Sequence, residues 1–157
     1  MVQRSAGILL HRPSATGMEV FLVHPGGPYW ARKDDGAWSI PKGLYGPDER
    51  PDVAALRELA EETGVALTLQ LMPLGEHRQP GGKIVTAFAA EGDLDPATIR
   101  SNSFTIEWPP RSGRMTEFPE VDRAGWFDLD AAAIKILKGQ LPILDALRTL
   151  LKRSAVE

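Results

Sequence analysis

Three glutamates, Glu58, Glu61 and Glu62, follow Arg57 in the stretch RELAEE. On a helix Glu58 lies one turn from both Glu61 and Glu62, so the carboxylates project from neighbouring positions, close enough to share one ion. Two unit charges about 6 Å apart repel by roughly 0.7 kcal/mol in water and by nearly 3 kcal/mol at an effective dielectric of 20. An exposed cluster is therefore tolerable, whereas a cluster in a cleft needs a cation. Mg²⁺ suits such a cleft because it prefers carboxylate, carbonyl and water oxygen and commonly joins substrate phosphates to a few protein carboxylates; Mn²⁺ is the alternative. The same residues also make a solvated acidic face, with Glu61 paired to Arg57 for only about 0.2–0.5 kcal/mol.

The wider pattern separates these alternatives. Gly43, five residues, Glu49, seven residues, then Arg57, Glu58, Leu59, Glu61, Glu62, Gly64 and Val65 place nine constrained positions in 23 residues. This resembles the Nudix box at every defined position. The resemblance implies a Nudix hydrolase: an α+β fold, an α/β/α sandwich with a mixed β-sheet between helices, acting on nucleoside diphosphates linked to another moiety. By matching position, Glu58, Glu61 and Glu62 would supply metal ligands or the water-activating base, and the main chain near Gly43 would add a carbonyl ligand. Glu49 and Arg57 would pair to hold the loop against the helix, giving Arg57 an orienting role in catalysis.

Outside the box, WSIPKG puts Lys42 directly before Gly43, resembling the PKG of diadenosine polyphosphate and diphosphoinositol polyphosphate hydrolases. A solvated turn lysine is the plainer alternative. EVDRAGWF puts Glu120 six residues before Trp126, resembling the acidic residue upstream of a strand tryptophan in diadenosine tetraphosphate hydrolases, where it assists metal binding or water activation. Glu107 and Glu117 compete for that role. Arg111 and Arg114 are candidates to reach a long phosphate chain, with Lys83, Arg78 and Arg32 ranked behind them. Tyr29, Trp30, Phe104, Trp108 and Phe118 could stack on a base or pack in the core.

These side chains need a scaffold. Ser5 to Leu10 and Met18 to His24 read as strands joined by RPSATG. The breaker-rich segment after His24 suits a functional loop. Pro51, Asp52 and Gly64 bound a helix over about Pro51 to Thr63, with Val53, Leu56, Ala60 and Thr63 as its core stripe. Leu67 to Glu76 and Lys83 to Ala90 read as strands joined across QPGG. Asp95 caps a short turn, FTIEW is a further strand, and AGWF ends another. Asp130 is expected to cap a helix over AAAIKILK that Gly139 ends, and Pro142 to start a last helix through Lys152.

The bulk composition narrows the class. At 157 residues, a single domain (1–157, box 43–65) is expected. The net charge of −3 gives no general attraction to nucleic acid or anionic lipid. No apolar run spans a bilayer or serves as a signal peptide, so the expected compartment is the cytoplasm. With no cysteine and three scattered histidines, any metal site must be built mainly from oxygen. The expectation is a Mg²⁺-dependent pyrophosphohydrolase of nucleoside or dinucleoside polyphosphates, its partner a small nucleotide rather than nucleic acid or membrane. A house-cleaning nucleoside triphosphate pyrophosphatase, a diphosphoinositol polyphosphate phosphohydrolase and a non-catalytic nucleotide sensor are the alternatives.

Overall fold

Six consecutive buried residues, Ser5 to Leu10, lie in a strand covered on both faces. In the computed structural model, which describes residues 2–156, they form the middle of β1 (Arg4–Ser14). The other strands are β2 (Gly17–Pro25), β3 (Lys42–Leu44), β4 (Met72–Arg78), β5 (Ile84–Glu91), β6 (Ser103–Glu107), β7 (Met115–Pro119) and β8 (Val121–Asp128). The helices are α1 (Pro51–Thr63), α2 (Leu129–Lys135) and α3 (Leu141–Val156). The main sheet runs β4-β5-β1-β2-β8, with β3 also on β1, while β6 and β7 form a separate hairpin. The β1–β5 pair is parallel and the other pairs are antiparallel, so the sheet is mixed as expected.

One core lies on each face. Leu9, Val20, Leu22, Val85 and Ala87 pack with Ala132, Ile136, Ile143, Leu144 and Leu147 from the α2 and α3 side. Ala6, Ile8, Leu10, Phe21 and Val23 pack with Ala54, Ala55 and Leu59 of α1. This is the expected sandwich of helices about a mixed sheet.

The feature that positions the site is a change of partner along β1. Its far end pairs with β2, from His11 opposite Val20 to Ser14 opposite Gly17. Its near end pairs instead with β3, from Ser5 opposite Leu44 to Gly7 opposite Lys42. Between them β2 parts from β1 and the chain before β3 enters the gap. Ser39 and Val23 exchange backbone hydrogen bonds of 2.9 and 2.8 Å, and the Ile8 amide donates to the Pro41 carbonyl at 3.1 Å. A Cβ on Gly7 would stand 2.7 Å from both Lys42 Cβ and the Pro41 carbonyl oxygen, so a residue without one permits the approach.

Helix α1 has the expected bounds. Pro51 opens it, and Gly64, at φ 77°, closes it by donating its amide to the Ala60 carbonyl. Its expected stripe is rotated, however. Ala54, Ala55, Glu58, Leu59, Glu62 and Thr63 are buried, whereas Val53 is 49% exposed. Two alanines let the helix approach the sheet closely, and that contact places the glutamates between helix and sheet. The stripe chosen by three- and four-residue spacing is right only at Thr63 and misses the alanines that make the closest contact.

Four other boundaries differ from expectation. Residues 65–71 form no strand, and β4 starts at Met72. Leu67, Leu69 and Leu71 nevertheless pack on the α1-side core, so their alternation reports side-chain burial without a hydrogen-bonded ladder. Asp128, not Asp130, caps α2 by accepting from the Ala131 amide at 2.7 Å. That helix ends at Lys135 rather than Gly139, because Ile136 turns extended and bridges Trp38. Gly139 falls in a short 3₁₀ turn, and α3 runs past Lys152 to Val156. The capped turn at Asp95 and the strand within FTIEW form as expected.

The chain inserted before β3 acts as a wedge, and Gln140, which is fully buried, holds it from α3's side. Its Oε1 accepts from the Ile40 amide at 3.0 Å and its Nε2 donates to Ser39 Oγ at 2.9 Å. Gln140→Leu keeps the volume but strands a buried backbone N–H, so it should destabilise the fold by about 1–3 kcal/mol. Urea unfolding measures this directly, and a loss below about 0.5 kcal/mol would show that the wedge holds without the Gln140 bonds.

Candidate active site

Arg57 organises the entrance to α1. Its Nε and one terminal nitrogen grip Glu49 in a two-pronged pair, both bonds 2.8 Å, tying the loop before the helix to the helix itself. The other terminal nitrogen donates to Glu58 at 2.8 Å and to Glu61 at 3.2 Å. The Arg57 hydrogen bonds hold the Glu49 carboxyl below its ordinary range. They also raise the guanidinium's proton affinity further, keeping it cationic throughout.

Glu58 and Glu62 face inward, and both are buried. Glu58 lies against Gly43, where an added Cβ would collide with its carboxylate. Glu62 accepts from the Lys42 backbone amide at 3.1 Å. Burial raises the Glu58 carboxyl despite the opposing Arg57 bond, with further contributions from Glu61 and Glu120. Glu62 is pushed up to about 8, chiefly by burial, with Glu58 and Glu120 adding to the shift. Burial lowers the Lys42 ammonium, while Glu62 opposes that change.

Beside these groups opens a cavity of about 210 Å³. Lys42, Glu62 and Glu120 give it a charged side, and Trp30, Ala37 and Leu137 give it an apolar one. Glu120 is placed through its backbone. Its amide donates to the Asn102 carbonyl at 2.8 Å, and its carbonyl accepts from Gly26 at 2.9 Å. Asn102 in turn donates to the Glu61 carbonyl at 3.0 Å, linking Glu120 to the end of α1.

The other candidates lie elsewhere. Glu107 is exposed on β6 and accepts from the Arg111 amide at 2.8 Å, and Glu117 is exposed on β7; neither lines the cavity. Arg111 and Arg114 occupy the exposed β6–β7 turn, outside the cavity lining. Lys83 is exposed but near enough to Lys42 to repel it. Arg78 reaches the Gly82 carbonyl at 3.5 Å, and Arg32 is exposed. Of the aromatics, Trp30 lines the cavity, Tyr29 packs edge-on against Trp108 at 5.3 Å, and Phe104 stacks beside Phe118 at 6.1 Å.

Leu137 and Ala37 were invisible as site residues. They are 100 positions apart and share the wall because Trp38 bridges Ile136, and no local motif signals that pairing.

The donor set fits a hard cation by its chemistry. Partly desolvated carboxylates that raise one another's proton affinity leave the site short of positive charge. Among the described residues, no three His, Cys, Asp or Glu side chains stand as a ready cage. A hard ion that keeps water and takes substrate oxygens does not require one.

The family model of the NUDIX domain matches residues 1–147. The chain belongs to the NUDIX domain family. This establishes the resemblance read from the box, and with it a Nudix hydrolase acting on pyrophosphate bonds. Solved structures share the Nudix fold at low identity. An Ap4A hydrolase from C. elegans in a binary complex is 19% identical, with a TM-score of 0.68 over 95% of this chain and 98% of that one. A mutT/nudix family protein from Listeria innocua is 19% identical, with a TM-score of 0.65 over 98% and 96%. The NUDIX domain of Shewanella oneidensis NrtR, solved with ADP ribose, is 18% identical, with a TM-score of 0.63 over 96% and 89%. Among the described residues, no helix of this Nudix chain is long and apolar enough to cross a membrane.

The raised Glu62 carboxyl makes a stability prediction for the metal-free protein. The folded state holds the Glu62 proton more tightly than the unfolded chain, so this contribution is fully present below the ordinary glutamate pKa of 4.5 and is lost as pH rises through about 8. Across that window wild type should lose stability relative to Glu62→Gln. By pH 9, with divalent ions chelated, the variant should be the more stable by about 1–3 kcal/mol. Parallel thermal melts at pH 5 and pH 9 provide the check, and curves that shift equally would refute the desolvation account of Glu62.

Proposed function

We propose that the chain is a single-domain, Mg²⁺-dependent pyrophosphohydrolase of nucleoside or dinucleoside polyphosphates, with diadenosine tetraphosphate as its model substrate and the cytoplasm as its compartment. The observation that carries this proposal is the cavity in which Glu62, Glu120 and Lys42 converge beside Trp30. It combines carboxylates for a cation, an ammonium for phosphate oxygen and an aromatic face for a base.

Glu58, Glu61, Glu62 and Glu120 would hold the ion, with the Gly43 carbonyl as a further ligand and Mn²⁺ as the alternative metal. A divalent cation there supplies screening of the phosphoanhydride oxygens and easier deprotonation of water. Lys42, whose own charge is pressed by burial, gains by meeting a phosphate oxygen. Arg57 holds Glu58 and Glu61 in place rather than touching substrate. Glu120, exposed at the rim, accepts the proton of the attacking water or binds a second ion. Arg111 and Arg114 contact the far end of a long phosphate chain.

A cleavage panel with Mg²⁺ present or chelated tests the activity. Glu58→Gln and Glu62→Gln should each lower turnover by at least about 100-fold without unfolding the protein. Turnover within about threefold of wild type for either variant would remove the metal assignment. Glu120→Gln should either lose the acidic limb of the pH–rate profile or raise the Mg²⁺ requirement, while Glu107→Gln and Glu117→Gln behave as wild type. The substrate class is tested separately: kcat/KM should be higher for diadenosine tetraphosphate than for ADP-ribose, and the reverse order would overturn the long-chain reading.

A further inference from the structure

The Pro25–Lys33 segment carries Trp30 to the cavity, and β8 begins one residue after Glu120. Both join at His24, the last paired residue before the register of β2 and β8 shifts. His24 pairs with Arg123 and Pro25 with Val121, leaving Asp122 as the extra residue of a bulge. Bulges re-aim side chains, and this one presents Asp122 to the His24 ring. Nδ1 of His24 lies 2.7 Å from Asp122 Oδ1, and Nε2 donates to the Lys33 carbonyl at 2.6 Å. The ring is fully buried and packs edge-on against Trp38 at 5.2 Å. Lys33 closes the segment on Trp30: its amide donates to the Trp30 carbonyl at 3.0 Å, and its ammonium sits 4.9 Å from the Trp30 ring centre.

We propose that His24 is a positioning residue for the reaction, a brace that sets the separation between the Trp30 wall and the Glu120 carboxylate. One ring nitrogen holds the end of the loop and the other holds the strand that follows Glu120. The effect on catalysis rests on the function proposed above; the brace itself does not. Burial explains why a histidine occupies the position. Neither an apolar ring nor a short amide can reach the Lys33 carbonyl and the Asp122 carboxylate from one buried point.

The two bonds can be cut separately. The amide of an asparagine falls near the ring Nδ1 position, so His24→Asn keeps Asp122 and releases Lys33. Glutamine falls near Nε2, so His24→Gln does the reverse. Asp122→Ala cuts the same strand-side bond from a partly exposed site, which keeps the test informative should a His24 variant fold poorly. Loss of the loop bond should raise KM by about fivefold or more with kcat within about twofold, because Trp30 binds rather than reacts. Loss of the strand bond, in His24→Gln and Asp122→Ala, should lower kcat by about fivefold or more with KM within about twofold. In a Trp30→Ala background, His24→Asn should raise KM no further, since a residue acting through Trp30 has nothing left to position. Equal losses in kcat and KM for all three variants, or additive effects with Trp30→Ala, would reduce His24 to a structural residue and overturn the proposal.

Hydrogen exchange supplies an arm that needs no substrate. In His24→Asn the Lys33 amide should exchange at least about tenfold faster, and in Asp122→Ala the Gly26 amide should do so, with the Ser39 amide unchanged in both. Unchanged Lys33 and Gly26 amides would refute the brace. If wild type cleaves no nucleotide, the function proposal fails, and the brace is then decided by exchange alone.

Discussion

Carboxyl groups held out of water at the seam of a sheet are the constraint on which the rest of this structure depends. Glu58 and Glu62 are buried beside β3, at the place where β1 exchanges one partner strand for another. Left in an unbroken sheet-helix interface they would face only apolar side chains, at a cost of several kcal/mol per ion. The seam gives them a backbone amide from Lys42 and a glycine flank at Gly43, with an opening to solvent through the cavity. Compensation stays incomplete, and the remaining deficit of positive charge is what a cation and a polyphosphate can jointly satisfy.

Contacts from several elements brace the seam. Arg57 spans from Glu49 to Glu58 and Glu61, so the loop cannot drift from the helix without breaking the two charge-assisted bonds to Glu49, while two more hold Glu58 and Glu61 on the helix itself. Gln140 and the Ser39–Val23 exchange hold the inserted chain from the opposite layer. Gly7 lets the insertion come within touching distance of β1. The site is therefore supported by both helical layers. This explains why most of the chain, not only the box, has the architecture of its Nudix relatives.

Much of this was legible in the sequence, for physical reasons that also mark where legibility ends. Pro51 and Gly64 bound α1 correctly because N- and C-terminal backbone chemistry is local. The box glutamates and Arg57 are brought together because their spacing is helical. Glu120 arrives at the cavity although its distance from the box is large, since the following strand carries a tryptophan packed on Phe21 that fixes the register. The stripe of α1 was misread because helical spacing alone fits more than one face, and the buried one is set by Ala54 and Ala55, whose small side chains allow a close approach to the sheet. The end of α2 was misread because a non-local bridge to Trp38 overrides local helix preference. His24 had no signature at all. Its role depends on a bulge and on a carbonyl nine residues away.

The β6–β7 hairpin joins neither edge of the six-stranded sheet. It leans on the rest of the molecule through a few side chains, Phe104 over Gly27 and Trp108 against Tyr29, and through the backbone link at Glu120. No core strand inherits its register from it. Its length and tip sequence can therefore change without shifting the alternation of any buried residue, which makes this excursion the part of the molecule where new selectivity can be grafted while the hydrolytic centre stays untouched.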